Sequence, residues 1–274
     1  MPKLRPNQFT LPSGKVITEI PMLFQSEMVQ ALLQDRKTET RRTRGLEKRN
    51  ESPDEWTREG ASDKTLYQSF KDSDLKINGS PLFEFIKTSR QTDREEFYTR
   101  PRYGKPGDLL WVRESFQKTS RFYYKADFSE QIARKASASG ATWKPSIHMP
   151  KAASRIWLMV ESIGVEQVWN INHSDARHEG VQSFYTGTQM MGWKNYLNED
   201  PRYLNTSFLS FASLWISING LDSWNANPWV WVIKFRVLSK TGRPSEELIA
   251  EHHQQIASPR SSSRNDARKE VSDV

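Results

Sequence analysis

Residues 229–237, WVWVIKFRV, constrain the fold most. Trp229, Trp231, Ile233, Phe235 and Val237 alternate with Val230, Val232, Lys234 and Arg236, the period-two pattern of a β-strand. The Trp229, Trp231 and Phe235 face is too large and apolar to leave in water, so a sheet must be built around this run. Ten tryptophans in the chain argue for a packed body, although the mean hydropathy of −0.76 marks a polar protein with solvated segments.

Other elements follow from pattern. In residues 26–33, Val29, Leu32 and Leu33 share one helical face, with Ser26 expected as the N-cap. The next stretch, RKTETRR, is dense in cations. Read as a strand, it puts Arg36, Thr38, Thr40 and Arg42 on one face and Lys37, Glu39 and Arg41 on the other. Read as a turn, it lets Lys37 and Thr40 converge as a base beside a hydroxyl nucleophile. Pro106-Gly107-Asp108 predicts a turn before a buried strand at 109–116, with a second strand at 122–125. Two prolines in WKPSIHMPKAASR, 143–155, predict a fixed extended loop, and 155–163 reads as a strand. Residues 172–180 predict a short helix capped by Asn172 and stopped by Gly180, and 207–218 a longer amphipathic one. These elements lack regular βαβ alternation, which implies a mixed α+β domain around a small barrel-like sheet. The domain is expected over 15–240, with insertions at about 44–100 and 182–206. Residues 241–274 are expected to be a flexible polar tail, apart from a short helical piece near 246–256.

Composition excludes several chemistries. The chain has no cysteine, so disulfides, thiolate catalysis and cysteine-bound zinc are ruled out. There is no P-loop and no GxGxxG fingerprint, and the five histidines form no familiar ligand spacing, so neither metal nor cofactor is expected. No apolar run suits a signal peptide or a membrane span, which predicts a soluble cytoplasmic protein without membrane contact. The net charge of +7 and pI of about 9.5 suit phosphate-bearing partners, although a solvated surface alone would also carry them.

Taken together, the helix with RKTETRR, the YGKPGDLLWVRE stretch, the short helix ending in HEG and the closing WVWVIKF strand resemble the ASCH domain, a PUA-like β-barrel family. The longer blocks WKPSIHMPKAASR and SINGLDSWNANPWVWV are similar to ASCH proteins of tailed phages and prophages. The resemblance covers about residues 20–43, 101–181 and 207–238. It implies a cleft for a nucleoside, nucleotide or RNA. One subfamily hydrolyses N4-acetylcytidine, and its K-T-x-T-[IR]-R segment and helix glutamate fall on Lys37, Thr40 and Glu179, which would then be catalytic. Arg36, Arg41, Arg42, Ser146, His148, Lys151 and Arg155 are candidates for ligand binding. Arg41 replaces an apolar residue of the hydrolytic form and could either line the cleft or point outward. Three readings stay open: an amidohydrolase, a non-catalytic module for RNA or a modified base, and, with less chemistry behind it, a ribonuclease. A phage-encoded copy would act in the host cytoplasm, and no protein partner is indicated.

Overall fold

The computed structural model describes residues 4–58, 76–77, 80–81, 83–89, 93–129, 132–133, 135, 137, 142–186, 190–197 and 203–257. Six strands make the central sheet: β1 (Gln8–Thr10), β2 (Val16–Leu23), β3 (Glu39–Arg42), β4 (Leu109–Arg113), β5 (Trp157–Gln167) and β6 (Trp229–Ser239). Their order is β1-β2-β4-β5-β6-β3, antiparallel throughout except for the parallel β2–β4 pair. The fold is therefore mixed α+β with a mixed sheet. Among the described residues no pairing joins β1 to β3, so the hydrogen-bonded order has two ends rather than closing into a barrel.

The aromatic run of β6 lies at the heart of this sheet. Trp231 and Phe235 are buried, and β5 runs along the strand from Trp157↔Ser239 to Gln167↔Trp229 with two register shifts. On its other side β6 holds β3, pairing Ile233 with Thr40 and Lys234 with Glu39. The strand with the strongest sequence signal thus fixes the position of RKTETRR, whose own signal is ambiguous.

Three helices matter for the site, and a fourth packs on the other face of the sheet. Helix α1 (Ser26–Leu33) packs Val29 and Leu32 into the main core. Ser26 is its first helical residue rather than its cap; Gln25 holds the cap position without a side-chain bond. Helix α2 (His173–His178) is capped as expected, with Asn172 Oδ1 accepting from the Asp175 N–H at 2.8 Å. Helix α3 (Ser207–Asn219) presses Phe211, Leu214 and Trp215 onto the same core and is capped by Thr206. Helix α4 (Glu246–Ala257) lies within the stretch that composition assigns to the tail. It docks on the opposite face of the sheet, where its fully buried Ile249 packs with Leu11, Ile17, Leu109, Trp157 and Met159. Residues 258–274 lie outside the described residues.

Both expected insertions contribute to the core. In the first, Leu46 and Trp56 are buried, and Asn50 exchanges two hydrogen bonds with the Trp229 backbone at 2.7 and 3.0 Å. Residues Phe83–Ser89 and Asp93–Thr99 form a hairpin that pairs with Trp56–Arg58. In the second, Trp193 and Tyr196 are buried. The loop at 143–155 contains two single turns, Ser146–His148 and Lys151–Ala153, each opened by a proline. No helix among the described residues is long and apolar enough to cross a membrane.

Candidate functional site

The site begins where α1 ends. Asp35 adopts a left-handed conformation (φ 57°), which reverses the chain so that the N–H groups of both Arg36 and Lys37 bond the Ala31 carbonyl. Thr38 then donates its N–H to the His178 carbonyl at 2.9 Å and accepts from the Phe235 N–H at 2.9 Å, which ties the segment to α2 and β6 together. The turn carries Lys37 and β3 carries Thr40, so elements of both sequence readings are present. The outcome of the turn is that Lys37 points inward instead of into solvent.

Lys37 is 1% exposed. Its Nζ donates to Glu179 Oε2 at 2.6 Å and to the Glu179 carbonyl at 2.7 Å. Glu179 follows α2 and is turned back by Gly180, whose φ is 92°. A Cβ on Gly180 would stand 2.8 Å from Ala31 Cβ and 2.9 Å from Lys37 Cβ, so only glycine permits this approach. The other carboxylate oxygen of Glu179 accepts from Arg41 Nη1 at 3.2 Å. Arg41, itself buried, also donates to Glu39 at 2.7 Å and to Glu166 at 2.8 Å. Asp175 closes this ring of acids at 3.7 Å from Arg41 Nη2.

Burial dominates the electrostatics. It lowers the Lys37 pKa from the ordinary lysine value, against the pull of Glu179. Burial works to raise the Glu179 pKa as well, but the charges of Lys37 and Arg41 outweigh it and hold the carboxyl below its usual range. Burial raises both Glu39 and Glu166, with Arg41 opposing. For Arg41 burial acts to lower the pKa, and the carboxylates of Glu166, Glu179 and Glu39 overcome it.

Lys37, Thr40 and Glu179 border one cleft of about 220 Å³. Arg41 and Arg42 share the polar side, joined by Ser115 and Ser146. Phe24 and Met28 from the α1 side and Phe211, Leu214 and Trp215 from α3 supply an apolar wall. Arg42 donates to the Leu23 carbonyl at 2.8 Å and lies 5.0 Å from the Phe24 ring centroid. Thr40 is buried at the edge of the cleft, and no hydrogen bond joins it to Lys37 among the described residues.

Six of the ten candidates therefore meet: Lys37, Thr40, Glu179, Arg41, Arg42 and Ser146. The other four do not border the cleft. Arg36 turns its guanidinium to the Gly180 carbonyl and Gln34. His148 is exposed at the end of its turn. Lys151 pairs with Glu19 and lies over Trp157, while Arg155 grips Glu114 at 2.8 and 2.9 Å and stacks on Tyr124. Nearness to Ser146 in sequence does not bring them along, because the chain turns twice between Ser146 and Arg155.

Sequence reasoning missed Glu166, Asp175, Ser115 and the α3 wall as parts of this site. Glu166 carried a signal, since an acid inside the apolar run of β5 demands a buried partner. Ser115 and the α3 residues carried none beyond ordinary core or turn patterning. Comparison of the chain with protein-family models, curated proteins and solved structures returned no match.

Proposed function

We propose that the chain is an ASCH-type protein of the phage and prophage form, that its sheet is the PUA-like scaffold, and that its cleft hydrolyses the N-acyl group of an N4-acetylcytidine-like nucleoside in the cytoplasm. The observation that carries this reading is the meeting of Lys37, Thr40 and Glu179, from three separate elements, in one cleft with an apolar wall. At about 220 Å³ the cleft is smaller than the roughly 300–1,000 Å³ of typical drug-sized sites. That size suits one base with a small substituent better than a run of nucleotides.

The chemistry uses a lysine that releases its proton easily. Neutral Lys37 takes the Thr40 hydroxyl proton as Thr40 Oγ attacks the acyl carbon. The C–N bond breaks, the amine leaves with a proton from Lys37, and the acyl group rests on Thr40 as an ester. Water hydrolyses that ester and releases acetate. Glu179, bonded twice to Lys37, aims the amine, and Arg41 fixes the second oxygen of that carboxylate.

A second reading has its own support. Lys37 and Glu179 already neutralise each other at 2.6 Å, and Thr40 is not bonded to the lysine, as a pocket that only holds a base would show. In that case the protein is a binding module for RNA or a modified base. Incubating the protein with N4-acetylcytidine and following cytidine release decides between them. Turnover by wild type and Thr40→Ser, abolished in Thr40→Val and Lys37→Ala, is the expected result. No release by wild type, or equal release by all four proteins, rejects the hydrolase; retained affinity for RNA then assigns the binding module.

A further inference from the structure

Behind the cleft, the acids around Arg41 point in two directions. Glu39 gives one oxygen to Arg41 and turns the other, Oε2, away from it; Asp175 does the same with Oδ2 and Oδ1. The outward oxygens converge on the Lys234 ammonium, at 3.3 Å from Glu39 and 3.8 Å from Asp175. Glu39 is 1% exposed, yet its Oε2 has no hydrogen-bond partner. A buried carboxylate oxygen at this spot, served only by a long ion pair, lacks part of the coordination such an atom needs. A ring nitrogen of the exposed His178 completes the group: one ligand atom each from Glu39, Asp175 and His178 lies within 4.8 Å of the others.

We propose that Glu39, Asp175 and His178 form a binding site for a divalent transition cation of the zinc class, with Lys234 as the ammonium that the metal displaces. Two carboxylates and an imidazole are a borderline donor set that suits zinc better than magnesium or calcium, which favour oxygen alone. Zinc bonds of about 2.0–2.2 Å place ligand atoms roughly 3.3–3.6 Å apart in a tetrahedron. Asp175 is half-buried and His178 exposed, so the contraction falls on the two ligands that packing confines least. Charge also favours the exchange. Four carboxylates, Glu39, Glu166, Asp175 and Glu179, face Lys37, Arg41 and Lys234. Replacing the single charge of Lys234 by a dication balances this group. Lys234 reaches the site from a partly exposed side chain.

The metal would clip β3 to α2, the elements that carry Thr40 and lead to Glu179. The site lies outside the cleft and does not rest on the hydrolase reading. The test is a zinc titration of the chelator-stripped full chain against a chromophoric competitor, with thermal unfolding followed alongside. One zinc per chain, a higher Tm, weakening by roughly tenfold or more in His178→Ala and in Asp175→Asn, and tighter binding in Lys234→Ala are expected. Both ligand positions are at least partly exposed, and the second variant keeps the side-chain shape, so folding survives. Equal affinity in wild type and His178→Ala places the zinc elsewhere and overturns the proposal. Binding by Lys234→Ala but not by wild type makes this a lysine site and overturns it too, as does no binding by either.

Discussion

Glu179 shows how one residue can serve two cations at once. Its oxygens hold Lys37 on one side and Arg41 on the other, in a place where water screens neither bond. Removing one partner of a buried pair leaves the other charged and unmatched, at a cost of about 3–5 kcal/mol. Glu179→Gln should therefore destabilise the protein markedly at neutral pH. The sign of the pH effect follows from its depressed pKa: the stabilisation is present above the ordinary carboxylate pKa and is lost as pH falls through the lower folded value. Denaturant unfolding should then show the gap between wild type and Glu179→Gln narrowing on strong acidification, whereas a gap independent of pH would contradict the charge assignment. Glu39 and Glu166 are shifted upward and act with the opposite sign, so the difference between the two proteins isolates Glu179 better than wild type alone. In the hydrolase reading the lowered pKa of Lys37 has a kinetic counterpart. Turnover should rise with pH and reach half its maximum below the ordinary lysine value. A profile flat across that range would remove Lys37 as the base.

Among the elements, α2 and its glycine stop determine whether the site exists. Gly180 has a positive φ and lies against both Ala31 and Lys37. Gly180→Ala should cost about 1–3 kcal/mol from backbone strain and push Lys37 away from Glu179. Lower thermal stability together with lost ligand binding is the expected pair of changes; a variant with wild-type Tm would show that the close approach is not needed. Helix α4 makes a separate case. Ile249 is fully buried, so Ile249→Ala should cost about 2–5 kcal/mol and loosen the helix, read as earlier proteolysis within 246–257. The cleft is on the other face, so ligand binding should persist. These two elements differ in legibility. Asn172 and Gly180 bracket α2 openly in the sequence. The role of α4 was masked by its polar surroundings, because a single isoleucine on a charged helix says little until the apolar socket that receives it is known.

Across the whole molecule, alternation and helical period marked out three strands of the sheet, β4, β5 and β6, the two caps of α2 and the helix α3, since these depend on neighbours within a few residues. RKTETRR was recognisable as a cluster of reactive side chains, and a glutamate on the short helix was its expected partner. The sequence by itself therefore determined the local elements, the absence of thiol chemistry and the residue types available to a site. Only the tertiary structure decided that β6 holds β3 with Thr40 opposite Ile233, that Lys37 is buried, and that His148, Lys151 and Arg155 lie away from the cleft. It also placed Arg41, a candidate for ligand binding, at the centre of a ring of acids. The physical reason is burial. A charged side chain reads the same in a sequence whether it faces water or carboxylates, and its pKa, partners and reach are set by residues more than a hundred positions away that packing brings into contact.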